Sequence, residues 1–503
     1  MTAKPGVLVE HVDVLIVGAG LSGVGAACHL QDRCPHKTFA ILEAREVIGG
    51  TWDLFRFPGI RSDSDMFTLA YSFRPWRGAK AIADGRSILG YIRETARLRG
   101  IDRNIRFHHR VVRAKWSTAE ARWSVTAQRS DTLETVRMTC GFLFACSGYY
   151  RYDQGYLPHF EGIERFAGQV VHPQHWPEDL DYAGKRVVVI GSGATAVTLV
   201  PAIAGRAAHV TMLQRSPSYV ISLPARDAIA DALRRALPAT VADPLVRWKN
   251  VLLMTLIFQL SRRRPKLVKA LLRRGAQRQL PAGYDVDPHF TPRYEPWDQR
   301  LCVAANGDLF KAVRAGQASI VTDEIETFTE KGIQLASGTE LEADLVVTAT
   351  GLNLLALGGM SIAVDSREIS MADTVGYKGM MLSGVPNLAL VLGYTNSSWT
   401  LKSDLVSEYV CRLLEHMDLH GYRQCTPRPP DASHPTLPLI ELRAGYVLRS
   451  LAALPKQGSA APWRLHQNYV RDLIALRYAR LEDGVIQFSA ASADTRRRDR
   501  PVR

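Results

Sequence analysis

The chain has 503 residues, 46% of them hydrophobic and 22% charged. That balance excludes a largely disordered, collagenous or coiled-coil protein and fits roughly two to four globular domains. The formal charge is +14, but residues 244–279 carry +10 and residues 494–503 carry +3, leaving +1 for the rest. In chain order, Val12–Val17 reads as a short buried strand. It runs into Gly18-Ala19-Gly20-Leu21-Ser22-Gly23, then an Ala-rich helical stretch, Val24–Leu30, then a strand, Thr38–Leu42, ending at Glu43. This is a βαβ unit with a dinucleotide turn. Gly18 permits the bend, Gly20 lets backbone approach a pyrophosphate, and Gly23 lets helix and strand pack closely. The pyrophosphate sits on free amides at the helix start, beside Ser22. Glu43, 20 residues beyond Gly23, is placed to accept hydrogen bonds from a ribose diol.

The arrangement recurs 173 residues later. Arg186–Ile190 is a strand, Gly191-Ser192-Gly193-Ala194-Thr195-Ala196 the turn, Val197–Ala204 the helix and His209–Leu213 the next strand. Here the strand ends Gln214-Arg215-Ser216. No carboxylate repels a 2′-phosphate and Arg215 is placed to bind one, so this site prefers NADPH. Two copies of strand, glycine turn and helix make a strong signal where one would be weak.

Two more apolar stretches end in a small residue and glycine: Gly141–Cys146 before Ser147-Gly148, and Asp344–Ala349 before Thr350-Gly351. Both are expected to return to the first site. The expected fold is therefore α/β, with two Rossmann-like domains, the first interrupted by the second. The first domain takes 1–155 and 341–490, the second 156–340 with a helical insertion at 224–290, and 491–503 form a disordered tail. Leu267, Val268, Leu271 and Leu272 give the insertion an apolar stripe. The part after about 415 is Pro-rich at first, then helical or irregular.

Seven cysteines, none in a CxxC pair, favour a reduced, cytoplasmic protein. Cys28/Cys34 and Cys140/Cys146 are spaced too widely for a disulfide-reducing flavoenzyme. His108-His109 and His172/His175 lack a Cys or carboxylate to complete a metal set, so no metal is expected. Val251–Leu260, ten residues, is too short to cross ~30 Å of hydrocarbon. The basic stretch 244–279 lacks the interleaved aromatics of a nucleic-acid module. It is either a solvated helical insertion or a helix resting in an anionic membrane interface.

Between the two turns lies Phe166-Ala167-Gly168-Gln169-Val170-Val171-His172-Pro173-Gln174-His175-Trp176-Pro177. It resembles the FxGxxxHxxxW(P/D) fingerprint of type I Baeyer–Villiger monooxygenases, matching at Phe166, Gly168, His172, Trp176 and Pro177. Flavin-containing monooxygenases are similar but usually carry Tyr where Trp176 stands. Gly49-Gly50-Thr51-Trp52 and Phe57-Pro58-Gly59-Ile60-Arg61-Ser62-Asp63 are similar to segments following the first βαβ unit in this family. Thr51, Trp52 and Asp63 thereby become cofactor-site candidates. Pro296-Trp297-Asp298-Gln299-Arg300-Leu301-Cys302 resembles the segment with the active-site arginine, carried here onto Arg300 with Asp63 as its partner. Many relatives have Lys before that arginine; Gln299 stands here, leaving Arg215 and Ser216 as the main 2′-phosphate candidates. The wording around Thr51–Asp65, Trp176–Asp181 and Asn396–Lys402 is most similar to the ethionamide-activating monooxygenases of mycobacteria.

The resemblance implies a cycle in which NADPH reduces FAD and reduced flavin with O₂ gives a C4a-peroxyflavin. That species converts ketones to esters or lactones and oxidises thioether or thioamide sulfur. The partners are then small ketone or sulfur substrates and O₂, with no nucleic acid. In relatives His172 acts more as a structural element beneath the inter-domain linker than as a base, and Trp176 packs. The rival reading is an N- or S-oxygenating flavin monooxygenase without Baeyer–Villiger activity.

Overall fold

The computed structural model describes residues 9–431 and 433–490. The tail expected at 491–503, with its +3 charge, lies outside the described residues. The first strand, Glu10–Val17, pairs in parallel with Phe39–Leu42 on one side and Thr135–Ala145 on the other. Val14, Leu15 and Ile16 are fully buried, which is why 14–17 reads as an unbroken apolar run. The sheet continues through Arg122–Arg129, His109–Ser117, Ser361–Val364 and Arg367–Ile369, and Leu388–Leu390 joins Thr135–Ala145. Gly141–Cys146 thus does return beside the first strand. The Leu21–Arg33 helix packs on the long Trp399–His420 helix, where His29 Nε2 meets the buried Asp404 carboxylate at 3.1 Å.

The second sheet is five-stranded and parallel, in the order Ala318–Thr322, His209–Gln214, Arg186–Ile190, Leu345–Thr348, Gln169–Val171. This corrects one expectation. The Asp344–Ala349 stretch does not return to the first site but lies between Arg186–Ile190 and Gln169–Val171. The second sheet therefore extends past the expected 340/341 boundary. A fully buried parallel strand has the same apolar pattern in either sheet, so its composition could not say which one it joins.

The two domains are joined by two crossings that run side by side. Arg151 N donates to Asn353 O at 2.9 Å, Tyr156 N to Gly351 O at 3.0 Å, and Leu355 N to Tyr149 O at 2.9 Å. The insertion holds the helices Ala228–Ala236, Ala239–Arg263 and Pro265–Gln277. Its +10 is partly neutralised in space by carboxylates from outside 244–279. Arg247 reaches Asp404 at 3.4 Å, Arg262 reaches Asp298 at 2.9 Å, Lys269 reaches Glu295 at 2.9 Å and Arg273 reaches Asp287 at 2.6 Å. Lys249 pairs with Asp227.

Candidate active site

Each glycine turn stands where a parallel strand passes into a helix. The Leu21–Arg33 helix starts from Gly20 with no side-chain cap and no acidic residue in its first turn. Its first amides are thus free to bind an anion, on the positive end of the dipole. A Cβ on Gly23 would lie 1.8 Å from Gly18 O, so helix and turn meet there as only glycine allows. In the second turn Gly191 has φ +139° and its missing Cβ would lie 2.3 Å from Ala349 O. Gly193, by contrast, faces open space and starts the Ala194–Ala204 helix, which also lacks a side-chain cap.

Glu43 is buried at the end of its strand. Its Oε2 accepts from Ala19 N at 2.7 Å and its Oε1 from Arg45 N at 2.9 Å. Burial raises its pKa, against the amides of Ala19 and Arg45, which favour the carboxylate.

A cavity of about 500 Å³ is lined from both domains. It brings together Gly18, Gly20, Ser22, Glu43, Thr51, Trp52, Asp63, Ala194, Thr195 and Arg300. Gly23 and Gly191 shape the turns behind its wall. Arg215 and Ser216 stand exposed at the strand end, where Ser216 O accepts from Ser192 Oγ at 2.9 Å. The sequence pairs them with the second turn, and the structure places them over it but outside the cavity.

Arg300 Nη1 lies 3.4 Å from Asp63 Oδ2, and Nη2 lies 3.5 Å from Tyr394 O. Arg300 Nε is buried and has no partner among the described residues. The side chains of Arg300 and Asp63 are 31% and 39% exposed, opening to the cavity. Burial works against the Arg300 charge, but the Asp63 carboxylate favours the cation and its pKa is raised. Burial likewise pushes the Tyr150 hydroxyl up to about 12, so it stays neutral. Asp63 is held by its loop: two residues back, Arg61 bridges from the first domain to Asp308 of the second at 2.5 Å.

Reading the sequence missed several residues here. Tyr149 and Tyr150 follow the Ser147-Gly148 turn directly, and that turn was the available signal. Thr51 Oγ1 lies 3.1 Å from Tyr152 OH, and Trp399 Nε1 donates to Ser22 Oγ at 2.8 Å. Tyr446 comes from a distant segment with no local signature.

The fingerprint residues stand behind the cavity, not in it. Phe166 packs on Phe328, and a Cβ on Gly168 would lie 2.6 Å from Asp344 O. Trp176 is buried edge-on to Tyr182, and Pro177 follows it, half-buried. His172 Nδ1 accepts from Gln174 N at 3.2 Å, leaving Nε2–H to donate to Gly351 O at 3.2 Å. Burial lowers its pKa, so the ring is neutral with both nitrogens engaged. Buried Gln174 donates to Arg151 O and Tyr152 O, both at 2.9 Å. The motif thereby grips both crossings between the domains. Away from the cavity, His416, His420 and Glu482 bring three ligand-type atoms within 4.8 Å at the surface.

Comparison with known proteins agrees with this geometry. Residues 81–360 match the flavin-binding monooxygenase-like family model, and 16–79 match an NAD(P)-binding Rossmann-like domain. The FAD-containing monooxygenase EthA of Mycobacterium tuberculosis is 58% identical over 97% of this chain and 99% of its own. The putative FAD-containing monooxygenase MymA of the same species is 54% identical over 96% and 99%. The probable FAD-binding monooxygenase AlmA of Acinetobacter baylyi is 48% identical over 98% and 99%. Among solved structures, an oxidized steroid monooxygenase bound to NADP shares the fold at TM-score 0.72 and 22% identity, covering 95% of this chain and all of that one. An open cyclohexanone monooxygenase does so at TM-score 0.69 and 20% identity, covering 84% and 90%. With two glycine turns opening on one cavity and near-full-length relatives of this kind, the chain belongs to the flavin-binding monooxygenase family.

Proposed function

We propose that the enzyme uses FAD and NADPH to transfer one oxygen atom of O₂ to ketones, forming esters or lactones, and to the sulfur of thioethers and thioamides. The observation that carries this reading is Arg300, held 3.4 Å from Asp63 on a cavity lined by both nucleotide turns. The residues present fit both cofactors. The uncapped amides at Gly20, Leu21 and Ser22 and the buried Glu43 suit the pyrophosphate and ribose of FAD, with Thr51 and Trp52 alongside. The open backbone at Gly193, Ala194 and Thr195 suits the pyrophosphate of NADPH, with Arg215 and Ser216 for its 2′-phosphate. Bound and reduced, FAD supplies the activated oxygen.

The chain supplies fixed charge and enclosure. A carbonyl attacked by a nucleophilic oxygen becomes an oxyanion, and the Arg300 guanidinium is a rigid, permanently charged donor for it. Asp63 and Tyr394 O orient that guanidinium from two sides. The hydroxyls of nearby Tyr149, Tyr150 and Tyr446 are kept neutral by burial and leave the guanidinium as the fixed charge there. Sulfur takes oxygen through its lone pair without forming an oxyanion, so it depends less on Arg300.

The purified enzyme, given NADPH, O₂ and separately a ketone and a thioether, is expected to yield ester or lactone and sulfoxide. Arg300→Ala should cut ester formation by about 10²–10³-fold and sulfoxide formation much less. Sulfoxide without any ester from the native enzyme would leave N- or S-oxygenation as the function.

A further inference from the structure

The helical insertion has an apolar face with no partner among the described residues. One side of the Ala239–Arg263 helix is buried on the body of the protein through Val246, Asn250, Val251 and Ser261. On the other side Leu245, Leu252, Leu253 and Leu256 recur at helical spacing, all exposed, Leu256 at 64%. They fall within a stripe roughly 100° wide at 100° per residue. The Pro265–Gln277 helix, which follows directly, adds exposed Leu267 and Leu271. Single exposed leucines are ordinary, but six on two consecutive helices mark a contact surface.

The unpaired charge of residues 244–279 has one sign. Five basic residues of 244–279 pair with carboxylates from outside the stretch. The other five, Arg263, Arg264, Lys266, Arg274 and Arg278, are exposed, and among the described residues no carboxylate pairs with them. Residues 244–279 contain no Asp or Glu. Among the described residues no helix is long and apolar enough to cross a membrane. Leucines flanked by unpaired cations on a helix not apolar enough to span fit the plane of a lipid–water interface.

We propose that this face docks on an anionic membrane surface, with the leucine row in the acyl boundary and the five cations on lipid phosphates. The buried side of the same helix sets Val251 against Tyr394, and Phe258 edge-on to Trp297, beside Arg300. The docked surface therefore lies one helix away from the candidate active site, which suits lipid-dissolved substrates. The docking itself does not rest on the oxygenation reading, and its test needs no turnover.

The full-length holoenzyme should co-sediment with phosphatidylcholine vesicles holding roughly 30% phosphatidylglycerol and bind neutral phosphatidylcholine vesicles at least about tenfold more weakly. About 0.5 M salt should weaken the anionic binding. Leu252→Glu with Leu256→Glu should abolish it, and Arg263→Gln with Arg264→Gln and Lys266→Gln should reduce it. Unchanged flavin absorbance and melting temperature would show that both variants are folded. No binding to anionic vesicles, or equal binding to neutral ones, overturns the proposal. So does a dimer that the Leu252/Leu256 variant splits without any vesicle binding, since a second copy would then cover the face.

Discussion

Gly191 and Gly193 sit two residues apart in one turn, and the missing side chain matters differently at each. Gly191→Ala forces a Cβ to 2.3 Å from Ala349 O at φ +139°, so the variant should melt at least several degrees lower or fail to fold. A Cβ at Gly193 meets nothing within 4 Å among the described residues. The melting temperature of Gly193→Ala should stay within a degree or two while the KM for NADPH rises about tenfold or more, because the methyl stands where backbone must approach the pyrophosphate. Arg215→Ala should raise the KM for NADPH by about 10–100-fold and leave that for NADH nearly unchanged, the value of a charge-assisted bond to a 2′-phosphate. Steady-state kinetics with both coenzymes checks this. The glycines and Glu43 were legible in the sequence because their chemistry is local, fixed by spacing within one βαβ unit. Arg300 and Asp63 were not legible by spacing; only the resemblance singled them out. Tyr446 was not legible at all, because tertiary folding alone brings it to Arg300.

Among the elements, the Trp399–His420 helix carries the least expected feature. Lys402 is 1% exposed, and its Nζ lies 2.8 Å from Asp472 Oδ2 and 3.3 Å from Lys378 O. Tyr394 OH donates to the same Asp472 oxygen at 2.7 Å, and Tyr394 O is the second contact of Arg300. Lys402→Met would leave the Asp472 carboxylate buried and unpaired, a change expected to cost about 3–5 kcal/mol. Urea denaturation should show it, and adding Asp472→Leu should recover part of the loss. A lysine at helical spacing reads as a solvated residue, since nothing in its own helix reveals the carboxylate that segment 469–473 brings to it. The insertion shows the same limit. Its ten basic residues were plain to count, but their five carboxylate partners lie outside the stretch. The strand at 345–348 shows it a third time, since composition fixed the element and not its sheet.

At the scale of the whole molecule, burial lowers the pKa of His172, His289 and His466. The unfolded chain, whose histidines titrate near ~6.5, then binds protons more readily than the folded one below that pH. Their contribution to stability is present above about pH 6.5 and lost as pH falls through it. Glu43 and Asp65, with pKa values raised by burial, act in the opposite sense. His172→Gln should therefore flatten the fall in melting temperature between about pH 7.5 and 5.5 relative to the native enzyme, whatever its effect at either pH alone. The side-by-side crossings at 149–156 and 351–355 also bear on how the chain reaches this fold. The first sheet needs Ser361–Val364, Arg367–Ile369 and Leu388–Leu390, all of which follow the second domain. For an unfolded chain, closing that sheet would mean joining strands separated by more than two hundred residues, at the entropic cost of a long loop. Once the second domain folds, Gln169–Val171 and Leu345–Thr348 flank each other's sheet neighbourhood and its two exits emerge together. The long loop then behaves as a short one. The inserted domain should therefore fold early and act as the template on which the domain around it closes.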